Sequence, residues 1–189
     1  MDPNAIIDAL RGAVPESAIE PAPAGDGMPA IYVAAEHIVE VCRALRDTPS
    51  LRFALAVDMT AVDYMPREPR FELVLLLVSP GVAGFGDTPK RLRVKVRLPG
   101  TNPRLPTVSE IWPAMNWAER EVWDLFGIVF DGHPNLHRLL MPDDWEGHPA
   151  RKDYPVQIKM AAKIYEPLQL SPEEFAANVR ADRTQAGQD

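Results

Sequence analysis

The chain has 189 residues, 46% hydrophobic and 25% charged, a composition that can bury a globular core without disulfides or metals. Its 27 acids against 20 lysines and arginines leave a net charge of −7, which argues against a nucleic-acid partner, since phosphate binding needs a basic face. A single cysteine, Cys42, excludes a disulfide framework and an iron–sulfur cluster held by this chain alone, and fits a reducing compartment.

In chain order, Pro3 suits the first position of a short helix carrying Ile6, Ile7, Leu10 and Val14 at helical spacing. Residues 15–29 are broken by Pro, Gly and Asp, and Ala30–Val33 reads as a short strand. A helix from about Glu36 to Asp47 turns Ile38, Cys42 and Leu45 inward, with Val41 beside them. Phe53–Val57 and Phe71–Ser79 read as strands, the second apolar enough to be central or buried on both faces. After a turn-rich stretch, Gly81–Lys90, the run Arg91–Leu98 alternates Leu92, Val94, Val96 and Leu98 with Arg91, Arg93, Lys95 and Arg97. One face of that strand should be solvated and basic, and it should pair with Phe71–Ser79 as an antiparallel hairpin.

Helices and strands mix without a regular βαβ repeat. The expected fold is therefore α+β over residues 1–130, a largely antiparallel or mixed sheet packed with helices. An extended proline-rich docking segment, 131–189, follows. The chain holds 20 prolines, about twice the usual share, with Pro134, Pro142, Pro149 and Pro155 in this segment. Proline fixes φ and removes a donor, so the segment should be stiff and poor in ladder hydrogen bonds. Near its end, Ser171, Pro172 and Glu174 form a capping box for a short helix with a narrow stripe of Phe175 and Val179. The longest apolar run, Leu73–Val78, is too short to span a bilayer, and Met1–Val14 lacks the basic start of a secretory signal. The expectation is a cytosolic chain that meets a membrane only through a partner.

All four tryptophans and three of the four histidines lie between Glu110 and Lys152. A helix is signalled there, with Asn116 as cap, Glu119 at the capping-box position and Gly127 as its end. Glu119, Val122, Trp123 and Phe126 share one face. Trp117, Arg120, Glu121 and Asp124 share the other. A carboxylate in the apolar stripe should be buried and hydrogen-bonded, to Asn116 or a basic side chain, because an unpaired buried charge costs several kcal/mol.

Catalytic chemistry finds weak footholds. Asp131, His133, His137, Asp143, Asp144, Glu146 and His148 could serve a metal-dependent hydrolase, but Pro134 stands where a zincin has its glutamate. Cys42 falls on an apolar helix face, and no serine stands in a nucleophile elbow. Glu119 and Glu121 point to different faces and cannot share a substrate. There is no GxGxxG, P-loop or CxxC. What remains is a stiff segment rich in the residue types that anchor interfaces, with Arg138, Trp145, Arg151, Lys152 and Tyr154 as the docking candidates. Alanine at both Arg151 and Lys152 is expected to spare the fold and weaken assembly.

The run E-R-E-V-W-D-L-F-G-I-V-F-D-G-H-P-N-L-H-R-L-L-M-P-D-D-W-E-G-H-P-A-R-K-D-Y-P, Glu119–Pro155, resembles the signature of the C subunit of the proton-pumping NADH:quinone oxidoreductase, respiratory complex I. Glu119, Arg120, Glu121, Asp124, Gly127, His133 and Pro134 carry that signature. The earlier D-M-T-A-V-D-Y, Asp58–Tyr64, resembles the family's strand end. His137, where the family usually has Arg or Lys, and Ala150, where a larger apolar residue is common, depart from it. The resemblance implies an α+β subunit of the hydrophilic arm, beside the large quinone-pocket subunit, on the cytoplasmic side of the bacterial inner membrane. It implies no cofactor on this chain, with FMN and iron–sulfur clusters in partner subunits. The equivalent subunit of a membrane-bound hydrogenase or a ferredoxin-fed relative carries a similar signature and is the alternative.

Overall fold

A computed structural model of the chain describes residues 2–14, 19–81 and 88–155, and further on 171, 173, 174, 176 and 177. The chain divides into two compact units, Met1–Pro155 and Val156–Asp189.

Helix α1, Pro3–Leu10, starts with Pro3 in its first turn, and the Asp2 carboxylate accepts the Asn4 N–H. It buries Ile6 and Leu10 completely. Strand β1, Ile19–Pro21, lies in a stretch the sequence marks as irregular. Three residues ending in proline give no readable period, and Pro21 is tolerated because β1 is an edge strand. Strand β2, Ala30–Val33, follows, and a 3₁₀ turn, Ala35–His37, leads into helix α2, Ile38–Asp47, which buries Ile38, Val41, Cys42 and Leu45.

Three long strands form an antiparallel meander: β3, Leu55–Asp63, β4, Phe71–Ser79, and β5, Lys90–Leu98. Strand β3 corrects the sequence-based span of Phe53–Val57. Phe53 is buried ahead of the strand, and a bulge at Val57 shifts the register between Ala56 and Asp58. The strand then runs through Asp58–Asp63, where an apolar Val62 on the outer side of an edge strand and a buried Asp63 on the inner side mask the alternation. The full sheet has the order β1-β2-β5-β4-β3, with β2 and β5 parallel and the other pairs antiparallel. This mixed sheet with few helices is the α+β class expected.

On its inner face Leu73, Leu75 and Leu77 of β4 stand opposite Val96, Val94 and Leu92 of β5. Met59 and Ala61 of β3 extend this row. The residues from α1 and α2 join them in one core, together with Trp112, Met115 and Val122. Each fully buried Leu, Ile or Phe there contributes about 1.5–3 kcal/mol. A second, small parallel pair is formed by β6, Arg104–Pro106, and β7, Val129–Asp131. Helix α3, Met115–Phe126, connects them and lies against β3. No helix among the described residues is long and apolar enough to cross a membrane.

In the second unit, the Glu174 carboxylate accepts the Ser171 N–H at 2.9 Å and its hydroxyl at 3.0 Å, while the Glu174 N–H donates to Ser171 Oγ at 3.2 Å. Residues 173, 174, 176 and 177 are helical, as the capping box anticipates. Pro172, Phe175 and Val179 lie outside the described residues.

Burial, with a smaller contribution from the Glu119 charge, pushes the Cys42 thiol well above its ordinary value. In native chain at pH 8, a water-soluble thiol reagent should react at Cys42 roughly 100-fold or more slowly than in urea-unfolded chain. Equal rates would show that α2 does not hold the thiol in the core.

Candidate partner-docking site

Helix α3 corrects the expected cap. Its N-cap is Ala114 and no side chain caps it, because the turn from Val108 to Trp112 already feeds the chain into the helix. Glu119, freed from capping, points into the core and is fully buried. One oxygen accepts the Val108 N–H at 2.7 Å and the other accepts the Thr107 hydroxyl, so Glu119 ties α3 to the exit of β6. The burial expected of it is present, with different donors. His133 Nε2 stands 3.9 Å from the carboxylate and donates to the Asn116 carbonyl at 3.1 Å. Its Nδ1 accepts the Asn135 N–H, which fixes that tautomer. Burial pushes the Glu119 carboxyl up to about 7 against the two hydrogen bonds that lower it.

Gly127 ends the helix as anticipated, with φ of 74° and its N–H on the Trp123 carbonyl. The His148 ring packs over it so closely that a β-carbon would lie 2.6 Å away. His148 Nδ1 donates to the Asp124 carbonyl at 2.9 Å.

The opposite face of α3 is where wheel and structure part. Arg120 and Asp124 are buried, although they share a side with the exposed Trp117 and Glu121. What covers them is the stretch from 136 to 148, folded back without helix or strand. Asp124 Oδ2 accepts three consecutive backbone N–H groups, from Leu139 at 3.0 Å, Leu140 at 2.8 Å and Met141 at 2.9 Å. Its Oδ1 accepts from Arg138 at 2.7 Å. Burial is the largest single influence and raises this carboxyl, but the N–H groups and Arg138 together outweigh it and hold it below its ordinary value. Arg138 also donates to the Trp145 and Gly147 carbonyls, and Arg120 donates to the carbonyls of His137 and Arg138 and to His137 Nε2.

A second carboxylate secures the far end. Asp63, at the end of β3, is paired bidentately with Arg70 and accepts the Lys152 N–H at 2.8 Å. Arg70 reaches on to both oxygens of Asp153 at 2.8 Å, and Asp153 also accepts from Arg151. The Arg70 guanidinium holds both Asp63 and Asp153 well below the usual carboxylate range, helped at Asp153 by Arg151. Arg70 and Arg151 both stack on Phe71. Asp63 lies in the D-M-T-A-V-D-Y motif and Lys152 in the longer one, so the two stretches that carry the resemblance meet in space. Arg70 and Thr107 belong to neither, and only the fold reveals them.

Among the docking candidates, Arg138 and Arg151 are thus engaged within the chain, while the Lys152 side chain is exposed. Trp145 stacks on Tyr154 at 6.4 Å, and the Tyr154 hydroxyl donates to the Glu146 carbonyl. The histidines of the Asp/His cluster each serve a different local bond, and among the described residues no three His, Cys, Asp or Glu side chains stand together as metal donors.

Glu119 is raised from 4.5 to about 7 in the fold, so between those values the native state holds a proton that the unfolded chain has released. Its contribution is therefore present below pH 4.5 and lost as pH rises through 7, a span on the order of 3 kcal/mol. Urea melts from pH 5 to 7.5 should show stability falling over this range, and Glu119→Gln should remove most of that slope. An unchanged slope would remove Glu119 as its source. Gly127→Ala places a β-carbon at positive φ and against His148, and should cost about 2–4 kcal/mol in thermal melts.

Comparison with known proteins places this geometry. Residues 31–159 match the family model described as respiratory-chain NADH dehydrogenase, 30 Kd subunit. The C subunit of the NADH-quinone oxidoreductase of Roseiflexus sp. (strain RS-1) is 43% identical over 162 residues, 86% of this chain and 89% of that protein. Its counterpart in Geobacter metallireducens is 49% identical over 128 residues, 67% of this chain and 74% of that protein. Among solved structures, the trypsin-resistant fragment (1-134) of Nqo5 superposes with a TM-score of 0.53 at 36% identity, covering 70% of this chain and 97% of the fragment. A chain of the membrane-bound sulfane sulfur reductase, an archaeal respiratory membrane complex, gives a TM-score of 0.66 at 28% identity, covering 89% and 95%. The chain belongs to the respiratory-chain NADH dehydrogenase 30 Kd subunit family, the C subunits of NADH-quinone oxidoreductase, or complex I.

Proposed function

We propose that this chain is a non-catalytic subunit of the hydrophilic arm of an NADH:quinone oxidoreductase, holding neighbouring subunits in place beside the large quinone-pocket subunit. Electrons pass from NADH through FMN and iron–sulfur clusters of partner subunits to quinone, and the chain meets the membrane only through the complex, on its cytoplasmic side. The observation that carries this reading is where the signature residues go. Arg120, Asp124, Gly127 and His133 build the support of an irregular segment and Glu119 ties their helix to the exit of β6, each spent on a bond or a close approach within the fold. Arg138 and Arg151 act by shaping that segment, while Lys152 and the Trp145–Tyr154 stack offer contact to the partner.

The likeness to a chain of an archaeal respiratory complex keeps one second reading, in which the same scaffold serves a ferredoxin-fed or hydrogenase-type relative. The higher identity to the NADH-quinone oxidoreductase proteins favours the NADH-linked one.

A tagged full-length chain recovered from native membranes should bring down subunits that together carry FMN and iron–sulfur clusters and that oxidise NADH with quinone. The chain alone should do neither half of that reaction. Co-purifying subunits that accept electrons from ferredoxin and not from NADH would assign the second reading. Turnover of NADH or quinone by the isolated chain would overturn both.

A further inference from the structure

Helix α3 carries a residue row that the described part of its own chain leaves uncovered. Trp117, Glu121 and Asp124 follow one another at helical spacings of four and three, so they share one line along the surface. Asp124 is covered, and the backbone that covers it brings Leu140 to that end of the line, its N–H 2.8 Å from Asp124 Oδ2. Trp117 is 60% exposed and Leu140 is 58% exposed, the two large apolar side chains of this face that remain in water among the described residues. Glu121, between them, is exposed as well. The row from Trp117 to the Asp124 end spans about 10 Å, seven residues at 1.5 Å each.

Among the described residues Glu121 has no cation to meet. The positions three and four away on the helix are Trp117, Ala118, Asp124 and Leu125. The nearby guanidinium groups are committed elsewhere, Arg120 to the carbonyls of His137 and Arg138, and Arg138 to Asp124. One face of the Trp117 ring rests on the Arg120 guanidinium at 4.8 Å, which stiffens the indole without covering it. Asp143 and Glu146, on the stretch that covers α3, are exposed too and add to the negative charge that the stretch carries.

We propose that the Trp117–Glu121–Leu140 ridge is a docking surface for a basic protein surface of another subunit, one that offers an apolar recess to each end and a lysine or arginine to Glu121. This rests on reading the chain as a docking subunit. An exposed, pre-stiffened tryptophan beside an unpaired carboxylate is the arrangement that concentrates binding energy, and the carboxylate selects the sign of the partner. A second copy fits badly. A two-fold contact through one short ridge would set Glu121 of each copy near its equivalent.

The test uses the assembled complex in native membranes, carrying full-length wild-type chain, Trp117→Ala, Glu121→Lys or Glu121→Gln, washed at rising salt. Wild-type chain should stay bound. Trp117→Ala and Glu121→Lys should each reduce the retained fraction at least about tenfold, with Glu121→Gln between, while the purified variants melt within about 4 °C of wild type, the most that loss of the Arg120 contact accounts for. Retention of both variants at wild-type level across the salt series would overturn the ridge while leaving the subunit reading intact. A melting temperature lowered by Trp117→Ala by clearly more than about 4 °C, or a concentration-dependent dimer of the isolated chain abolished by it, would assign the indole to the chain's own packing or to a second copy, and would also overturn the proposal. Absence of wild-type chain from any complex would remove the subunit reading itself, and the ridge with it.

Discussion

An irregular segment has no neighbouring strand to take its backbone hydrogen bonds, and buried N–H groups without acceptors are expensive. Much of the bonding around residues 132–155 answers that constraint. Between Gly132 and Pro155 the backbone forms turns and bends with no helix or strand. Local turns and the Leu125 carbonyl take some of its donors, and two carboxylates of the folded body take four more. Asp124 collects three successive N–H groups in the middle of the segment, and Asp63 collects one near its end. Each carboxylate is also matched to an arginine, Arg138 or Arg70, so neither charge is buried alone. A carboxylate oxygen can accept several donors from directions no single backbone carbonyl serves, which is why charged residues hold a place that apolar packing could not.

The carboxyl groups of this assembly divide by the sign of their shift. Asp63, Asp124 and Asp153 are lowered, so their stabilisation is present above the ordinary carboxylate range and is lost as pH falls through their folded values. Glu119 is raised, and its effect runs the other way. The difference lies in depth as well as in donors, Glu119 being the more deeply set of the two. Asp124, equally inaccessible to water, faces three N–H groups and a guanidinium, whereas Glu119 faces one N–H, one hydroxyl and His133, whose imidazole is spent on Asn116 and Asn135. Burial dominates where compensation is thin.

The same distinction sets what the sequence could disclose. Strand β4, helix α2 and the alternation of β5 are local patterns, and they are readable as such. Gly127 is readable because a helix end needs positive φ, although the His148 ring that forbids a side chain there is not. The burial of Glu119 follows from its place among Val122, Trp123 and Phe126. Its donors do not, since they come from the loop after β6, eleven and twelve residues away. Asn116 does not cap α3 because a preceding turn already supplies the helix start. Arg120 and Asp124 look like a solvated face to any helical wheel, and only the return of residues 136–148 buries them. The family resemblance points to the right stretch without saying what its charges do.

Ordering a flexible strap on binding would subtract from affinity at every assembly event. In the docking role proposed above, that cost is met during folding, chiefly by the buried Asp63 and Asp124. The signature residues divide accordingly. Glu119, Arg120, Asp124 and Gly127 face inward and fix shape. Glu121 alone of the acidic and basic residues in E-R-E-V-W-D is left facing outward, with no partner among the described residues. A side chain that serves the fold is recognised by its bonds within the chain. One that serves an interface shows itself by lacking them while sitting on a surface those bonds make rigid.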